Sequence, residues 1–360
     1  MNTVDSNYIG VDINGLFDRG NVHDGVYIGE GAHHNIVDAN LISGNDFEGV
    51  CNVGYAKAVP PVTTHHNTIV NNIIGLTINL TPLGNLTGGV SIGKYGTQYQ
   101  GGFATDNIVV INKIAHNTRN GIMVWEHWTN ATNADRNRIT QNSIYNNSLL
   151  GIDLGDNSIT LNDPGDPDNG ANQELNFPVI TSARFGVGGT TISGTLDIGQ
   201  NPSTAIIELF KAGTDLSGYG EGMNYWGFVN PGSSGSWNIT LPGLVVGDTV
   251  TATAIDSAGN TSEFAQNAQV VLGIEENNVQ NQKYPMLSIF PNPAKTSFSV
   301  SIPSKGNLYF LKMYNFVGNL IRQEEMNPLQ PRVSVDDIEQ GIYFLQINNE
   351  PIFYKLIITK

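Results

Sequence analysis

The densest group of side chains able to do chemistry is Trp125-Glu126-His127-Trp128. Flat indole faces beside polar groups suit sugar rings, which offer apolar C–H faces rimmed by hydroxyls. Tyr55, Tyr95 and Tyr99 fall in neighbouring segments and extend the same reading. His127 and Glu126 have the proton chemistry of a base and an acid, but adjacency in sequence does not set them face to face. The alternative is that the two tryptophans pack their own loop onto the scaffold.

Two further groups suit metal chemistry. Asp153, Asp156, Asp163, Asp166 and Asp168, with Asn162, Asn169 and Asn172, crowd one stretch. Calcium takes six to eight oxygen ligands, and carboxylates and carbonyls in a loop supply them. Asp166-Pro167-Asp168-Asn169-Gly170 is not an EF-hand, because glycine falls one place early and the closing glutamate is missing. The competing reading is a connector in which these side chains cap their own turns. His33-His34 and His65-His66 each directly precede a recurring asparagine. On neighbouring turns of a repeat the pairs would stack, and four imidazoles so placed suit a transition metal as well as solvated turns.

The elements that position these residues follow from a repeat. Asn-x3-Gly-[Val/Ile] recurs at Asn21/Gly25, Asn45/Gly49, Asn85/Gly89, Asn117/Gly121 and Asn147/Gly151. Further asparagines stand at Asn35, Asn107 and Asn137, and midway at Asn40, Asn112 and Asn142. Apolar pairs between them mark short strands, so the unit is strand, turn, strand, turn, as in a solenoid. The shortest interval, Asn21 to Asn45, is 24 residues. The longer ones are 40, 32 and 30. Most of the excess follows the same glycine: Gly49 to Asn67, Gly89 to Asn107 and Gly121 to Asn137 span 18, 18 and 16 residues, against 10 from Gly25 to Asn35. A fourth insertion lies between Asn67 and Asn85. Insertions at one phase stack on one edge, often the binding face. They carry Tyr55, Tyr95, Tyr99 and Trp125–Trp128.

Composition narrows the partners. The formal charge of -15 and pI near 4.7 disfavour nucleic acid and anionic membranes. A single cysteine, Cys51, excludes an internal disulfide and reads as a small buried hydrophobe. No run is long and apolar enough to span a bilayer.

The repeat resembles the right-handed parallel β-helix family. That implies stacked asparagines bonding up a column and glycines at tight corners. Similar β-helices include pectin and alginate lyases and polygalacturonases. Their catalytic sets (paired aspartates near Asn-x-Asp, Gly-His-Gly, a basic pair around proline) have no counterpart here. Arg119, Arg136 and Arg138 are candidate sugar-acid or lyase-base residues without a supporting pattern. The resemblance implies a fold and a polysaccharide-like partner, and no named reaction.

From Asn176 the texture changes. Alternating runs such as Ala205–Phe210, Ser236–Leu241 and Thr249–Ala254, parted by glycine-rich turns, read as about seven strands of an immunoglobulin-like sandwich. This resembles the Ig-like spacers of bacterial surface proteins. Residues 273–283 are polar and read as a linker. The last segment runs Ile289-Phe290-Pro291-Asn292-Pro293-Ala294, Tyr314–Asn319, Gly341–Leu345 and Tyr354–Lys360, with apolar alternation between turns. Order and spacing resemble the C-terminal sorting domain of cargo for the Bacteroidetes Por (type IX) secretion system. The resemblance implies a secreted or outer-membrane surface protein that meets that machinery through residues 284–360. Met1–Asp5 is polar and carries no signal peptide. A fragment whose N-terminal coils are missing is therefore expected; the alternative is a decayed tail on a protein that stays inside.

The sequence thus predicts an all-β chain: β-helix over 1–175, Ig-like sandwich over 176–272, linker, and a small C-terminal sandwich over 284–360. It predicts a glycan-binding, adhesive or structural surface protein, with a polysaccharide lyase or hydrolase as the alternative.

Overall fold

The computed structural model describes residues 1–54, 62–93, 103–125, 134–186, 188–273, 288–301, 309–326, 332–348 and 353–360. The chain divides into two compact units. One comprises Met1–Ala183, Thr191–Leu241 and Asp248–Gln269; the other comprises Arg184–Thr190, Pro242–Gly247 and Val270–Lys360.

The first unit opens with a parallel β-helix of five coils. Each coil gives one short strand to each of three parallel sheets. The first sheet contains Thr3–Asp5, Ile36–Asp38, Thr68–Val70, Ile108–Val110 and Arg138–Thr140. The second sheet starts at Tyr8–Ile9 and ends at Ser143–Tyr145; the third starts at Val26–Gly29 and ends at Ile152–Leu154. Parallel register puts like residues over like. Val4, Val37, Ile69, Val109 and Ile139 form one inward column, and Ile9, Ile42, Ile74, Ile114 and Ile144 another. β-branched side chains suit such packing, and these columns form a continuous buried core. One inward position breaks the rule. Asn52 sits between Ile28 and Ile92, fully buried, and neither polar atom of its side chain has a partner among the described residues.

Three asparagine ladders run up the corners: Asn2–Asn35–Asn67–Asn107–Asn137, Asn7–Asn40–Asn72–Asn112–Asn142 and Asn21–Asn45–Asn85–Asn117–Asn147. At each rung the backbone N–H and side-chain Nδ2 of one asparagine donate to Oδ1 of the next; for Asn72 to Asn112 both distances are 2.9 Å. Oδ1 therefore absorbs two donors that a corner would otherwise leave buried and unpaired. Asn2, Asn7 and Asn72 belong to these ladders although the Gly-based repeat does not mark them. The insertion between Asn67 and Asn85 is a turn at Leu76–Pro82. A second one, at Val11–Asp18 in the first coil, lies against it through Ile78 N–H donating to Gly15 O.

Because donors point toward the C-terminus at every rung, the last coil ends with donors unmet. The connector after the last coil and the sandwich supply acceptors. Asn137 N–H donates to Asn172 Oδ1 (2.9 Å), and Asn147 N–H and Nδ2 donate to the Glu221 carboxylate, the latter at 2.8 Å. Glu208 receives Thr140 Oγ1 and Gln141 N–H, and Glu263 receives Leu154 N–H and Thr160 N–H. Thr261 Oγ1 accepts from Ile139 N–H and Asn260 Oδ1 from Arg136 N–H. A carboxylate only accepts, which is what a row of donors needs. An open sheet edge is thereby closed, as capping repeats close a solenoid. These groups sit on a sandwich sheet ordered Gly222–Val229, Ile206–Ala212, Thr249–Ile255, Ala268–Gln269, or on the turns beside it. Val179–Gly186, Gly189–Thr195, Ser236–Leu241 and Val271–Leu272 form the other sheet.

In the second unit, two antiparallel sheets enclose Phe298, Val300, Leu311, Met313, Val333, Leu345 and Leu356. Asn292 ties the Pro-Asn-Pro segment to the final strand: its Nδ2 donates to Lys355 O and its Oδ1 accepts from Ile357 N–H. Asn315 Oδ1 accepts from Val317 and Asn319 N–H, closing a turn in which Gly318 adopts φ +90°.

Candidate functional site

The candidate site is the corner that follows the third sheet. Its strands Val50–Val53, Val90–Ile92 and Ile122–Val124 each run into an insertion and return at Val62, Phe103 and Ala134. The ends of neighbouring insertions meet: a Cβ at Gly54 would collide with Phe103 O and Val62 O. The outward column of this sheet is Tyr27, Cys51, Ser91, Met123 and Asp153. All but Tyr27 are buried. Trp125 is half-buried beside it, its indole N–H donating to Ser91 Oγ at 2.9 Å. Tyr55, Tyr95, Tyr99, Glu126, His127 and Trp128 lie outside the described residues.

On the same edge, each of the last four coils places one left-handed residue before the first ladder asparagine: His34, His66, Asp106 and Arg136, at φ +57°, +53°, +58° and +56°. The two histidine pairs stack as their spacing predicts, His33 on His65 and His34 on His66, with ring centroids 5.0 Å apart in both. One coil on, Arg136 clasps Asp106 through Nε (2.6 Å) and Nη2 (3.0 Å). The hydrogen bond from Arg136 holds the Asp106 carboxyl below its usual range and raises the guanidinium in turn. That opposes the proton loss a base role for Arg136 requires.

The five aspartates divide between two places. Asp153 is buried on the outward column, accepts from Asn120 Nδ2 (3.2 Å) and is pushed up to about 6, first by burial and then by Asp156. Asp156 pairs with Arg119 at 2.7 Å. Asp166, beyond the helix, accepts from Asn176 N–H and is also raised to about 6 by burial, with Asp163 and Asp168 contributing. Asn176 donates to Asp163 O. Among the described residues no group of three or more His, Cys, Asp and Glu is arranged to hold a metal ion.

Glu221, in the Tyr219–Gly222 segment, terminates the ladder at Asn147, 74 residues away, and no motif in the sequence marks it. Burial pushes Glu221 up to about 7 and Glu263 up to about 8.

Residues 288–359 match the secretion system C-terminal sorting domain family. The chain carries a type IX sorting tail and is a secreted or outer-membrane surface protein. No helix among the described residues is long and apolar enough to cross a membrane. Among solved structures, the BSP domain of a biofilm associated protein is 15% identical over 52% of this chain and 30% of its own, with TM-score 0.20. Dimeric latent PorU from Porphyromonas gingivalis is 16% identical over 55% and 21%, with TM-score 0.18. Alpha-2-macroglobulin of E. coli is 12% identical over 52% and 12%, with TM-score 0.25. The chain thus spans less than a third of each, and at these scores the likenesses carry no argument about fold or function.

Proposed function

We propose that this is a glycan-binding protein of the cell surface or secreted space. The insertions after the third sheet hold a polysaccharide or cell-surface glycan, the sandwich closes the helix, and the tail engages the type IX machinery. The observation that supports this is that three insertions leave the coil at one phase, and their sequences include Trp125, Trp128, Tyr55, Tyr95 and Tyr99. Aromatic faces spaced along a rigid ladder suit a chain of repeating sugars, because successive rings recur along a polysaccharide as coils recur along the solenoid. The test is retention and turnover of a polysaccharide panel by the full chain. Retention without new reducing or unsaturated ends is expected. New ends would make the protein a lyase or hydrolase and return attention to Glu126, His127 and Arg136. Neither retention nor turnover would leave a stalk.

A further inference from the structure

The loop-bearing edge holds a second group of side chains with chemistry of its own. His33 and His34 bring their Nδ1 atoms to 2.9 Å, and His65 and His66 bring theirs to 2.7 Å. Within each pair the rings stand nearly perpendicular, at 84°. Between pairs they are nearly parallel, at 3° and 10°. The backbone enforces this. The coils are in register at His33 and His65, and both His34 and His66 take the left-handed conformation that turns consecutive side chains toward one another.

We propose that these paired imidazoles form a chelating site for a divalent transition ion of tetragonal preference, copper(II) or nickel(II). Two nitrogens bound about 2.0–2.1 Å from one ion lie about 2.8–3.0 Å apart at a right angle, and about 3.3–3.4 Å apart at the tetrahedral angle. The observed separations match the right angle, the arrangement of adjacent corners of a square. Each pair supplies two donors, so it is a chelate completed by water rather than a closed cage. Neutral imidazole is the ligating form. Ions on both pairs would stand roughly 5 Å apart and repel, so the second binds at least about tenfold more weakly. An N–H···N hydrogen bond between neutral rings gives the same spacing without any affinity for metal, and the test must separate the two.

The experiment titrates copper(II), then nickel(II), into the full-length untagged chain, following heat and the copper electron paramagnetic resonance spectrum. His34→Asn and His66→Asn break one pair each; asparagine tolerates the left-handed backbone, and both histidines are exposed. The expected result is one tight equivalent with an axial spectrum and nitrogen hyperfine lines. Either single variant keeps that equivalent, and the double variant loses at least tenfold in affinity. Absence of binding by the unaltered chain, or binding unchanged in a double variant that melts normally, would overturn the proposal.

Discussion

Replacing Glu221 with glutamine separates charge from hydrogen bonding at the end of a ladder. The Glu221 side chain is 1% exposed and raised from 4.5 to about 7, burial being the largest cause. A folded pKa above the unfolded one means that stability is fully present below 4.5 and is lost as pH rises through 7. At about pH 8 the buried charge costs ~3 kcal/mol relative to the protonated form, of which ~1 kcal/mol accrues above about pH 6.5. Glutamine is neutral throughout, and its Oε1 can accept from Asn147 N–H and Nδ2 as the carboxylate does. Glu221→Gln is therefore expected to be no less stable than the unaltered chain at about pH 6.5 and ~1 kcal/mol further ahead at about pH 8. That increment moves the melting temperature by about 2–4 °C in a unit of this size. Melting the full chain at both pH values measures it. Glu221→Ala serves as control: it leaves the Asn147 backbone N–H without its acceptor, while Nδ2 keeps Ile114 O, at a cost of about 1–3 kcal/mol at either pH. If Glu221→Gln lost stability equally at both pH values, the carboxylate would be ionised throughout and the reasoning from burial would fail.

Further predictions follow from the same structure. Asn112→Ala leaves the backbone N–H of Asn72 without its acceptor, while Asn72 Nδ2 keeps Val37 O and Val70 O, and is expected to destabilise by about 1–3 kcal/mol, whereas Asn2→Ala, at the exposed end, costs less than about 1 kcal/mol; urea unfolding compares them. Asn52→Val replaces a buried amide lacking partners among the described residues and is expected to stabilise by about 1–2 kcal/mol; a loss would reveal an acceptor or donor on the adjoining insertions. If Asp153, Asp156, Asp163, Asp166 and Asp168 hold calcium, a calcium-selective chelator lowers the melting temperature by several degrees; an unchanged melting temperature would count against that assignment. Deleting residues 288–360, behind a signal peptide in a host with the type IX system, is expected to leave the protein in the periplasm; surface arrival without the tail would contradict the export reading.

The fold was legible in the sequence because its determinants are local and repeated. Each ladder rung needs an asparagine whatever the neighbouring coil contains, so the pattern survives insertions of different length. The first coil was harder: Asn2 and Asn7 stand before an insertion at Val11–Asp18 that stretches the spacing to the next mark. The histidine stack was legible because both pairs precede ladder asparagines, and register does the rest. The cap was not legible. Glu208, Glu221 and Glu263 sit in ordinary-looking strands and turns, and only the three-dimensional approach of the sandwich to the last coil gives them partners 68, 74 and 109 residues away. Aromatic residue types at one phase of the coil were legible, and of these only Trp125 lies among the described residues. The ligand was not, because sugar recognition depends on the angles between rings, which spacing does not encode.

The proposed function rests on the insertion edge binding glycan through its aromatic residues. The most direct measurement is the affinity of the full chain for whichever polysaccharide it retains, compared with Trp125→Ala/Trp128→Ala, under conditions where both proteins melt alike. A loss of about tenfold or more is expected, the combined worth of two aromatic contacts. Equal affinity in a folded double variant would contradict it and move any binding surface elsewhere on the molecule.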